Sequence, residues 1–314
     1  MEEGLPDFVI AGAPKCGTTA LYSRLADHPA VFMPAVKEPH FFSEDLPGIR
    51  EVSTLKGYAS LYAHAPPGTL RGDASASCLF SEVAVGRILE RNRSARFVVI
   101  LRDPVEAAYA FHSEQLFNLS EDVQDFAVAW SLQEARSRGE AIPSGCREPR
   151  LLQYRRLFAY GEQLDRLFSR VPEAQRFVLL LDDLRRDSLA TFHRVAEFLG
   201  LGDDGKGGFA LANPNKRLRS RRASLWHRRA RSLSGPIYAP AKRAANALGL
   251  YPSHVLERWN VREAARPPLD PTLRGELREA FASEVAHTER LLGRPLAWGA
   301  EDEAPPQRTA AHSG

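Results

Sequence analysis

The 314-residue sequence contains only three cysteines, Cys16, Cys78 and Cys146, which lie far apart and form no Cys-x-x-Cys pair. Small proteins held together by disulfides and structural zinc sites both need closely spaced cysteines in larger numbers. The sequence therefore argues against a disulfide framework or a zinc site and favours a reducing compartment.

Long apolar runs are also missing, because no stretch approaches the roughly 20 residues that cross a bilayer. The first predicted strand begins near residue 8, so we expect no signal peptide and a cytoplasmic location. Net charge is small as well, at +3, and does not by itself indicate a nucleic-acid-binding protein.

The composition present is that of a globular protein, with 44% hydrophobic and 26% charged residues. Short apolar runs at 8–11, 97–101 and 177–181 are typical of buried parallel strands. Helical patterns follow them, at 18–27, 81–92, 104–117, 121–138, 151–169, 186–199 and 272–292.

This alternation predicts an α/β fold, a P-loop-type parallel β-sheet flanked by helices, with an irregular helical C-terminal region. We expect a single domain over residues 1–298. The polar composition of residues 299–314 predicts a disordered tail.

Residues 12–19, Gly-Ala-Pro-Lys-Cys-Gly-Thr-Thr, follow the first strand and have the glycine and hydroxyl spacing of a phosphate-binding Walker A loop. In a nucleotide triphosphatase, lysine directly follows the second glycine. Here Thr18 occupies that position and Lys15 lies two residues before Gly17. Backbone N–H groups at the start of the next helix are suited to an anion. The loop therefore predicts phosphate binding with a displaced lysine.

Two further segments carry candidate site residues. Residues 37–42, Lys-Glu-Pro-His-Phe-Phe, place Glu38 between a lysine and His40, ahead of two aromatic residues. Such a carboxylate is either a general base or part of a surface turn. Arg102 ends the second predicted strand, where it either meets an anion bound by the first loop or pairs with a neighbouring carboxylate. Asp103 and Pro104 are typical of the start of a helix.

Together, and in this order, the three segments resemble the PAPS-dependent sulfotransferases, specifically the heparan-sulfate-type group and its bacterial relatives. The resemblance extends over residues 6–298 and includes Tyr160-Gly161 and Asp182-Asp183. It implies the donor 3′-phosphoadenosine-5′-phosphosulfate (PAPS), with no metal ion required. Asp182-Asp183 matches a strand end of that family, so we interpret the pair as structural rather than as a magnesium-binding acidic motif.

The resemblance also implies roles for individual residues. Glu38 matches the family's catalytic base, His40 an acceptor-side histidine, and Lys15 the cation that meets the oxygen between phosphorus and sulfur. Arg102 would hold the 3′-phosphate of the donor. The 5′-phosphosulfate would be held by the phosphate loop and the start of its helix, residues Lys15, Cys16, Gly17, Thr18, Thr19 and Ala20.

The sequence departs from the family at two positions. Ala110 stands eight residues after Arg102, where the family places a serine that contacts the 3′-phosphate, and Ser113, one helical turn further on, is the nearest substitute. Ala74 stands where animal heparan-type enzymes carry a lysine. Its absence argues against a heparan-like acceptor and leaves Asp73 as an acceptor-side carboxylate.

Residues 216–222, Lys-Arg-Leu-Arg-Ser-Arg-Arg, form a basic run. A solvated basic face and a nucleic-acid contact are both open, although no interleaved aromatic residues support the second. The resemblance adds a third interpretation, in which Lys216 and Arg217 or Arg219 close over the 3′-phosphate. Residues 225–250 are a helix packed on the core, a helical lid, or a surface for peripheral membrane contact with a lipid-like acceptor.

The sequence thus predicts an enzyme that transfers a sulfuryl group from PAPS to a hydroxyl or amine of a small-molecule, glycan or lipid-like acceptor. The alternatives are a P-loop kinase or nucleotide triphosphatase, and a nucleotide-binding homologue with impaired catalysis. We expect no nucleic-acid partner and no transmembrane segment.

Overall fold

A computed structural model describes residues 5–210 and 265–298, together with the backbone of 216–218 and 261–263. Its centre is a parallel five-stranded sheet with the order β2-β3-β1-β4-β5. The strands are β1 Phe8–Gly12, β2 Val31–Phe32, β3 Leu70–Asp73, β4 Arg96–Leu101 and β5 Arg176–Leu180. A separate antiparallel pair is formed by β6 Lys216–Leu218 and β7 Val261–Glu263.

Helices cover the parallel sheet, as the predicted fold class requires. The helices are α1 Thr18–Ala26, α2 Leu55–Ser60, α3 Ala84–Arg91, α4 Pro104–Phe117, α5 Phe126–Ser131, α6 Gln133–Ser137, α7 Tyr154–Leu157, α8 Tyr160–Phe168, α9 Leu181–Arg186, α10 Ser188–Leu199 and α11 Pro271–Leu292. Short 3-10 helices occur at Pro47–Ile49, Pro149–Leu152 and Glu173–Gln175.

The three predicted strands are confirmed as β1, β4 and β5, which are adjacent in the sheet. All residues of β1 and nearly all of β4 are buried, because helices cover both faces of the sheet. The carboxyl ends of β1 and β4 therefore lie side by side. This places the loop after β1 next to Arg102, which follows β4.

Two long helices predicted from the sequence are interrupted. Within the helix predicted at 151–169, the side-chain amide of Gln163 donates to the carbonyls of Arg156 and Leu157, each at 3.0 Å. These bonds end α7 before α8 begins. Within the helix predicted at 121–138, Glu121 is buried and accepts the N–H groups of Asp122 and Val123, which holds residues 121–125 as a loop before α5 begins.

A glycine permits close packing between α8 and α11. A Cβ atom at Gly161 would lie 2.7 to 2.8 Å from the side chain of His287, tighter than real Cβ contacts. His287 in turn lies 2.8 Å from the carboxylate of Asp165. The absence of a side chain at 161 therefore allows the C-terminal helix to pack directly on α8.

Within the described ranges, no helix is long and apolar enough to cross a membrane. Residues 299–314, for which the sequence predicts a disordered tail, lie outside the described residues. The single-domain prediction stays a prediction.

Candidate functional site

The loop at residues 12–19 connects β1 to α1, as predicted. Gly17 has φ 95° at the N-terminal cap of α1, and Lys15 has φ 62°. The first of these is a left-handed conformation that glycine adopts without strain. Gly12 lies so close to the carbonyl of Ala76 that an added Cβ would approach it to 2.8 Å. The glycines thus let the loop turn tightly at the carboxyl edge of the sheet.

The start of α1 presents backbone N–H groups toward this loop. Thr18 and Thr19 open the helix, where N–H groups have no intrahelical acceptor. The N–H of Ala20 donates to the carbonyl of Gly17 at 3.0 Å, so Ala20 belongs to the first turn. Because the positive end of the helix dipole lies here, the arrangement suits a phosphate group.

Cys16 points away from this cradle and into the core. Its side chain is fully buried and lies 3.5 Å from the Tyr160 hydroxyl. Burial raises the pKa of the Cys16 thiol to about 11, and the hydrogen bond with Tyr160 and the charge of Arg102 only partly oppose this shift. The Cys16 side chain therefore supports the loop, and only its backbone can face an anion.

Lys15 forms an ion pair with a residue of α4. Its Nζ atom lies 2.6 Å from Oε2 of Glu114, and the two side chains are 25% and 37% exposed. Neither the motif nor the resemblance identifies Glu114. It lies twelve residues after Arg102, on the helix that follows the arginine, and only the fold brings it to Lys15.

Glu38 lies between two basic side chains, as its sequence neighbours suggest. The ammonium group of Lys37 donates to Oε1, and His40 Nε2 lies 3.5 Å from Oε2. Burial acts to raise the pKa of Glu38, but the hydrogen bond with His40 and the charge of Lys37 outweigh it and lower the pKa to about 2. The carboxylate is therefore ionised at neutral pH, the state that a general base requires.

The loop that carries Glu38 is held by the residues after β3. Glu38 N–H donates to the carbonyl of Ala74 and His40 N–H to the hydroxyl of Ser75, both at 3.1 Å. Glu38 and His40 have φ values of 60° and 49°, conformations that non-glycine residues seldom adopt. Such strain is maintained only where surrounding contacts determine the backbone.

Asp73, predicted as an acceptor-side carboxylate, is buried and faces the protein interior. Its oxygens accept hydrogen bonds from Tyr58 at 2.6 Å and Ser75 at 2.7 Å. Burial raises the pKa of Asp73. The side chain therefore supports the Glu38 loop through Ser75, and the sequence interpretation was wrong because it did not account for Tyr58.

Arg102 lies at the carboxyl end of β4 and pairs with Glu106 at 3.4 Å. Asp103 caps α4 as predicted, accepting the N–H of Val105 at 2.8 Å. The Nε atom of Arg102 is buried and has no hydrogen-bond partner among the residues that the structure describes. A buried guanidinium N–H without a partner is costly, so this position is suited to an anion.

Ser113 accepts a hydrogen bond from an arginine that the sequence did not identify as a site residue. Arg266 Nε donates to the Ser113 hydroxyl at 3.2 Å, and its guanidinium lies 5.2 Å from the ring centroid of Tyr109. Arg274, on α11, lies 2.8 Å from Glu106, which is on α4 like Ser113. No local pattern around Arg266 points to a site, because it reaches α4 from a distant part of the sequence. Ala110, at the family's serine position, is buried.

An open cleft of about 860 Å³ joins the phosphate loop to the Glu38 loop. Lys15, Thr18 and Thr19 line one part of it, and Lys37, Glu38 and His40 line another. Glu114, Glu51 and Arg147 also face the cleft. The three predicted catalytic residues, Lys15, Glu38 and His40, therefore share one cavity, whereas Arg102 lies outside its lining.

The predicted basic contacts are described only in part. Lys216 and Arg217 belong to β6, whose backbone lies against α4. Arg219 and residues 225–250, the segment considered for membrane contact, lie outside the described residues.

Asp182 and Asp183 make structural contacts. Asp183 accepts the N–H of Leu180 at 3.3 Å and pairs with Arg294 at 2.9 Å, while Asp182 pairs with Arg185 at 3.1 Å. These contacts agree with the structural interpretation of the pair and give no support to a magnesium-binding role.

Part of the chain is similar to known proteins. A family model described as "Sulfotransferase domain" matches residues 5–206, more than half of the chain. Carbohydrate sulfotransferase 15 of Homo sapiens is 27% identical over 257 residues, covering 63% of this chain and 44% of that protein. The bifunctional heparan sulfate N-deacetylase/N-sulfotransferase 3 of Homo sapiens is 29% identical over 204 residues, covering 63% of this chain and 22% of that protein. The chain thus spans less than half the length of these relatives.

A solved structure shares the fold. The crystal structure of a sulfotransferase from Alicyclobacillus acidocaldarius superposes with a TM-score of 0.68 at 24% sequence identity, covering 93% of this chain and 98% of that one. This likeness confirms the predicted architecture of a parallel sheet flanked by helices.

Proposed function

Because the chain belongs to the sulfotransferase family and is a transferase, we propose that it transfers a sulfuryl group from PAPS to an acceptor hydroxyl or amine. The observation that carries the proposal is the shared cleft, in which the phosphate loop with Lys15 faces the ionised Glu38.

The residues present fit a donor with phosphate groups at both ends. At one end, the N–H groups that open α1 and the Lys15 ammonium suit a phosphosulfate. At the other, the Nε of Arg102, which has no partner among the described residues, and the Ser113–Arg266 pair suit a terminal phosphate. We propose Arg266 as a donor contact that compensates for the missing hydroxyl at Ala110. Lys216, Arg217 and Arg219 stay predicted contacts.

When bound, PAPS supplies an activated sulfuryl group whose departure leaves negative charge on a phosphate oxygen. Glu38 accepts the proton of the acceptor hydroxyl or amine as that group attacks sulfur. His40 and Lys37 keep the carboxylate ionised and oriented. Lys15 and the loop N–H groups stabilise the charge on the departing phosphate oxygen, and adenosine 3′,5′-bisphosphate is released.

The acceptor is proposed from the cleft and from the relatives. Those relatives are named for carbohydrate and heparan sulfate substrates. The cleft of about 860 Å³ has space for a sugar unit beside the reacting end of the donor, and both carboxylates and basic groups line it. The absence of a lysine at Ala74 disfavours a polyanion. We therefore propose a glycan with few sulfate groups as the leading acceptor, ahead of a small molecule or a lipid.

The experiment is transfer of labelled sulfate from PAPS to a panel of neutral and sulfated glycans. Lys15→Ala and Glu38→Gln are each expected to lower turnover about 100-fold or more, because each removes a group that acts on the transition state. Lys56→Ala, which removes an exposed lysine of α2, is the matched control and is expected to keep wild-type turnover. Full activity of either site variant would overturn the mechanism.

A P-loop kinase or nucleotide triphosphatase is disfavoured by Thr18 at the usual lysine position and by the structural contacts of Asp182 and Asp183. If the protein binds the donor and sulfates no acceptor, the alternative of a nucleotide-binding homologue with impaired catalysis is supported. The cytoplasmic location and the absence of a nucleic-acid partner stay predictions.

A further inference from the structure

Two ion pairs neutralise the lysines that line the cleft in the described part of the chain, Lys15 and Lys37. Lys37 pairs with Glu38 within the same loop, while Lys15 pairs with Glu114 across the cleft, from the phosphate loop to α4. Glu38 has a role in the proposed mechanism. Glu114 has none, although its carboxylate holds the one side-chain cation of the phosphate loop at 2.6 Å.

The position of Glu114 on α4 sets what it can do. Ser113, the preceding residue, contacts Arg266 on the side of the helix proposed to meet the terminal phosphate. Glu114 reaches instead toward the phosphate loop and lines the cleft. Both Lys15 and Glu114 are partly exposed, so the ion pair can open without disrupting the buried core.

A lysine ammonium is a mobile point charge on a flexible side chain, and a phosphate competes with a carboxylate for it. We propose that Glu114 is a positioning residue that acts through Lys15: it holds the ammonium in the empty site, and the donor must displace it. After transfer, the same carboxylate competes with the product's 5′-phosphate for Lys15 and so favours product release. This inference rests on the proposed function, because it assumes that a phosphate group binds at the loop.

The test measures adenosine 3′,5′-bisphosphate binding by isothermal titration calorimetry, with no acceptor required. Glu114→Gln and Glu114→Ala are expected to bind the bisphosphate about three- to tenfold more tightly than wild type, because the competing carboxylate is gone. If the Glu114 carboxylate served only to maintain the structure, its removal would weaken bisphosphate binding. Glu134→Gln, at an exposed glutamate of α6, is the matched control for loss of one negative charge.

A double variant separates competition for Lys15 from general repulsion of an anion. In a Lys15→Ala background, Glu114→Gln is expected to leave bisphosphate affinity unchanged, because there is no ammonium left to release. An equal gain in both backgrounds would show repulsion alone and overturn the inference, as would unchanged or weaker binding by the single variants. If wild type fails to bind the bisphosphate, the proposed function falls and this inference with it.

Discussion

Nε2 of His40 lies 3.5 Å from Oε2 of Glu38, and the two residues share a short loop in which both have positive φ. Lys37 contacts the other oxygen of the same carboxylate. The candidate base is therefore held between two donors, which fixes its direction and its charge. Several measurable properties follow from this loop and from the contacts around it.

The first prediction concerns acid stability. The pKa of Glu38 is about 2 in the folded protein, below its ordinary value of 4.5. The unfolded state therefore takes up a proton first as pH falls. The stability that this group contributes is fully present above about pH 4.5 and is lost as pH falls toward about 2.

Urea unfolding of wild type and Glu38→Gln at several values between pH 7 and pH 3 checks this. The difference in unfolding free energy between the two proteins is expected to shrink below pH 4.5, because only wild type has a carboxylate here that the unfolded state protonates before the folded state does. Titrating groups that do not contact Glu38 are common to both proteins and cancel. A difference that stays constant with pH would contradict the placement of Glu38 between Lys37 and His40.

The second prediction concerns Arg266. Arg266→Met removes the guanidinium that bonds to Ser113 and is expected to weaken adenosine 3′,5′-bisphosphate binding about 10- to 100-fold, the usual effect of losing a hydrogen bond to a charged group. Calorimetric titration measures the change. Arg138→Met, at an exposed arginine of the helix α6 region, is the control and should bind like wild type. Equal bisphosphate affinity of both variants would show that Arg266 does not contact the donor.

The third prediction concerns a buried ion pair behind the cleft. Arg136 makes two hydrogen bonds to Glu121, at 2.7 and 2.8 Å, and both side chains are fully buried. Tyr154 donates to the same carboxylate at 2.8 Å. Arg136→Met leaves a buried charge without its partner and is expected to lower the free energy of unfolding by about 3–5 kcal/mol.

The exposed pair formed by Arg138 and Glu134 provides the comparison. Arg138→Ala is expected to change the free energy of unfolding by less than about 1 kcal/mol, because exposed pairs contribute little. Urea denaturation of both variants measures the contrast. Equal effects would show that burial of the Glu121–Arg136 pair has no energetic consequence.

The fourth prediction compares two helical glycines. Gly161→Ala places a Cβ against His287 and is expected to destabilise the protein by about 1–3 kcal/mol. Gly275→Ala, in α11, would place its Cβ more than 4 Å from every described residue outside its own helical backbone, and it is expected to stabilise the protein by about 0.5–1 kcal/mol through helix propensity. Thermal unfolding distinguishes them by the sign of the change. A gain at both positions would contradict close packing of α8 on α11.

The sequence predicts β1, β4 and β5 well because strands covered on both faces are almost entirely apolar. It misses β3 for the opposite reason, and it misses β2, Val31–Phe32, because a strand of two residues is too short to show a pattern. β3 contains Arg71, Gly72 and Asp73, and its place in the sheet depends on tertiary contacts: a Cβ at Gly72 would collide with Phe8 and Met33. No local pattern contains that information.

The candidate site likewise contains some residues that local sequence patterns identify and others that they do not. Residues on local motifs, such as Lys15, Glu38 and Arg102, can be found from spacing and strand ends. Glu114 and Arg266 could not be found, because their partners lie 99 and 153 residues away in sequence. Asp73 was misassigned because the buried Tyr58 that binds it belongs to a helix with no recognisable link to the motif.

The central claim is that the phosphate loop serves a phosphosulfate donor rather than a nucleoside triphosphate. Thermal unfolding with adenosine 3′,5′-bisphosphate, compared with ATP and Mg²⁺, tests it most directly, because a ligand at 100 times its dissociation constant adds about 2.7 kcal/mol to stability. We expect the bisphosphate to raise the Tm of wild type, to raise that of Arg102→Gln much less, and ATP with Mg²⁺ to have little effect. Stabilisation by ATP with Mg²⁺ and none by the bisphosphate would contradict the account.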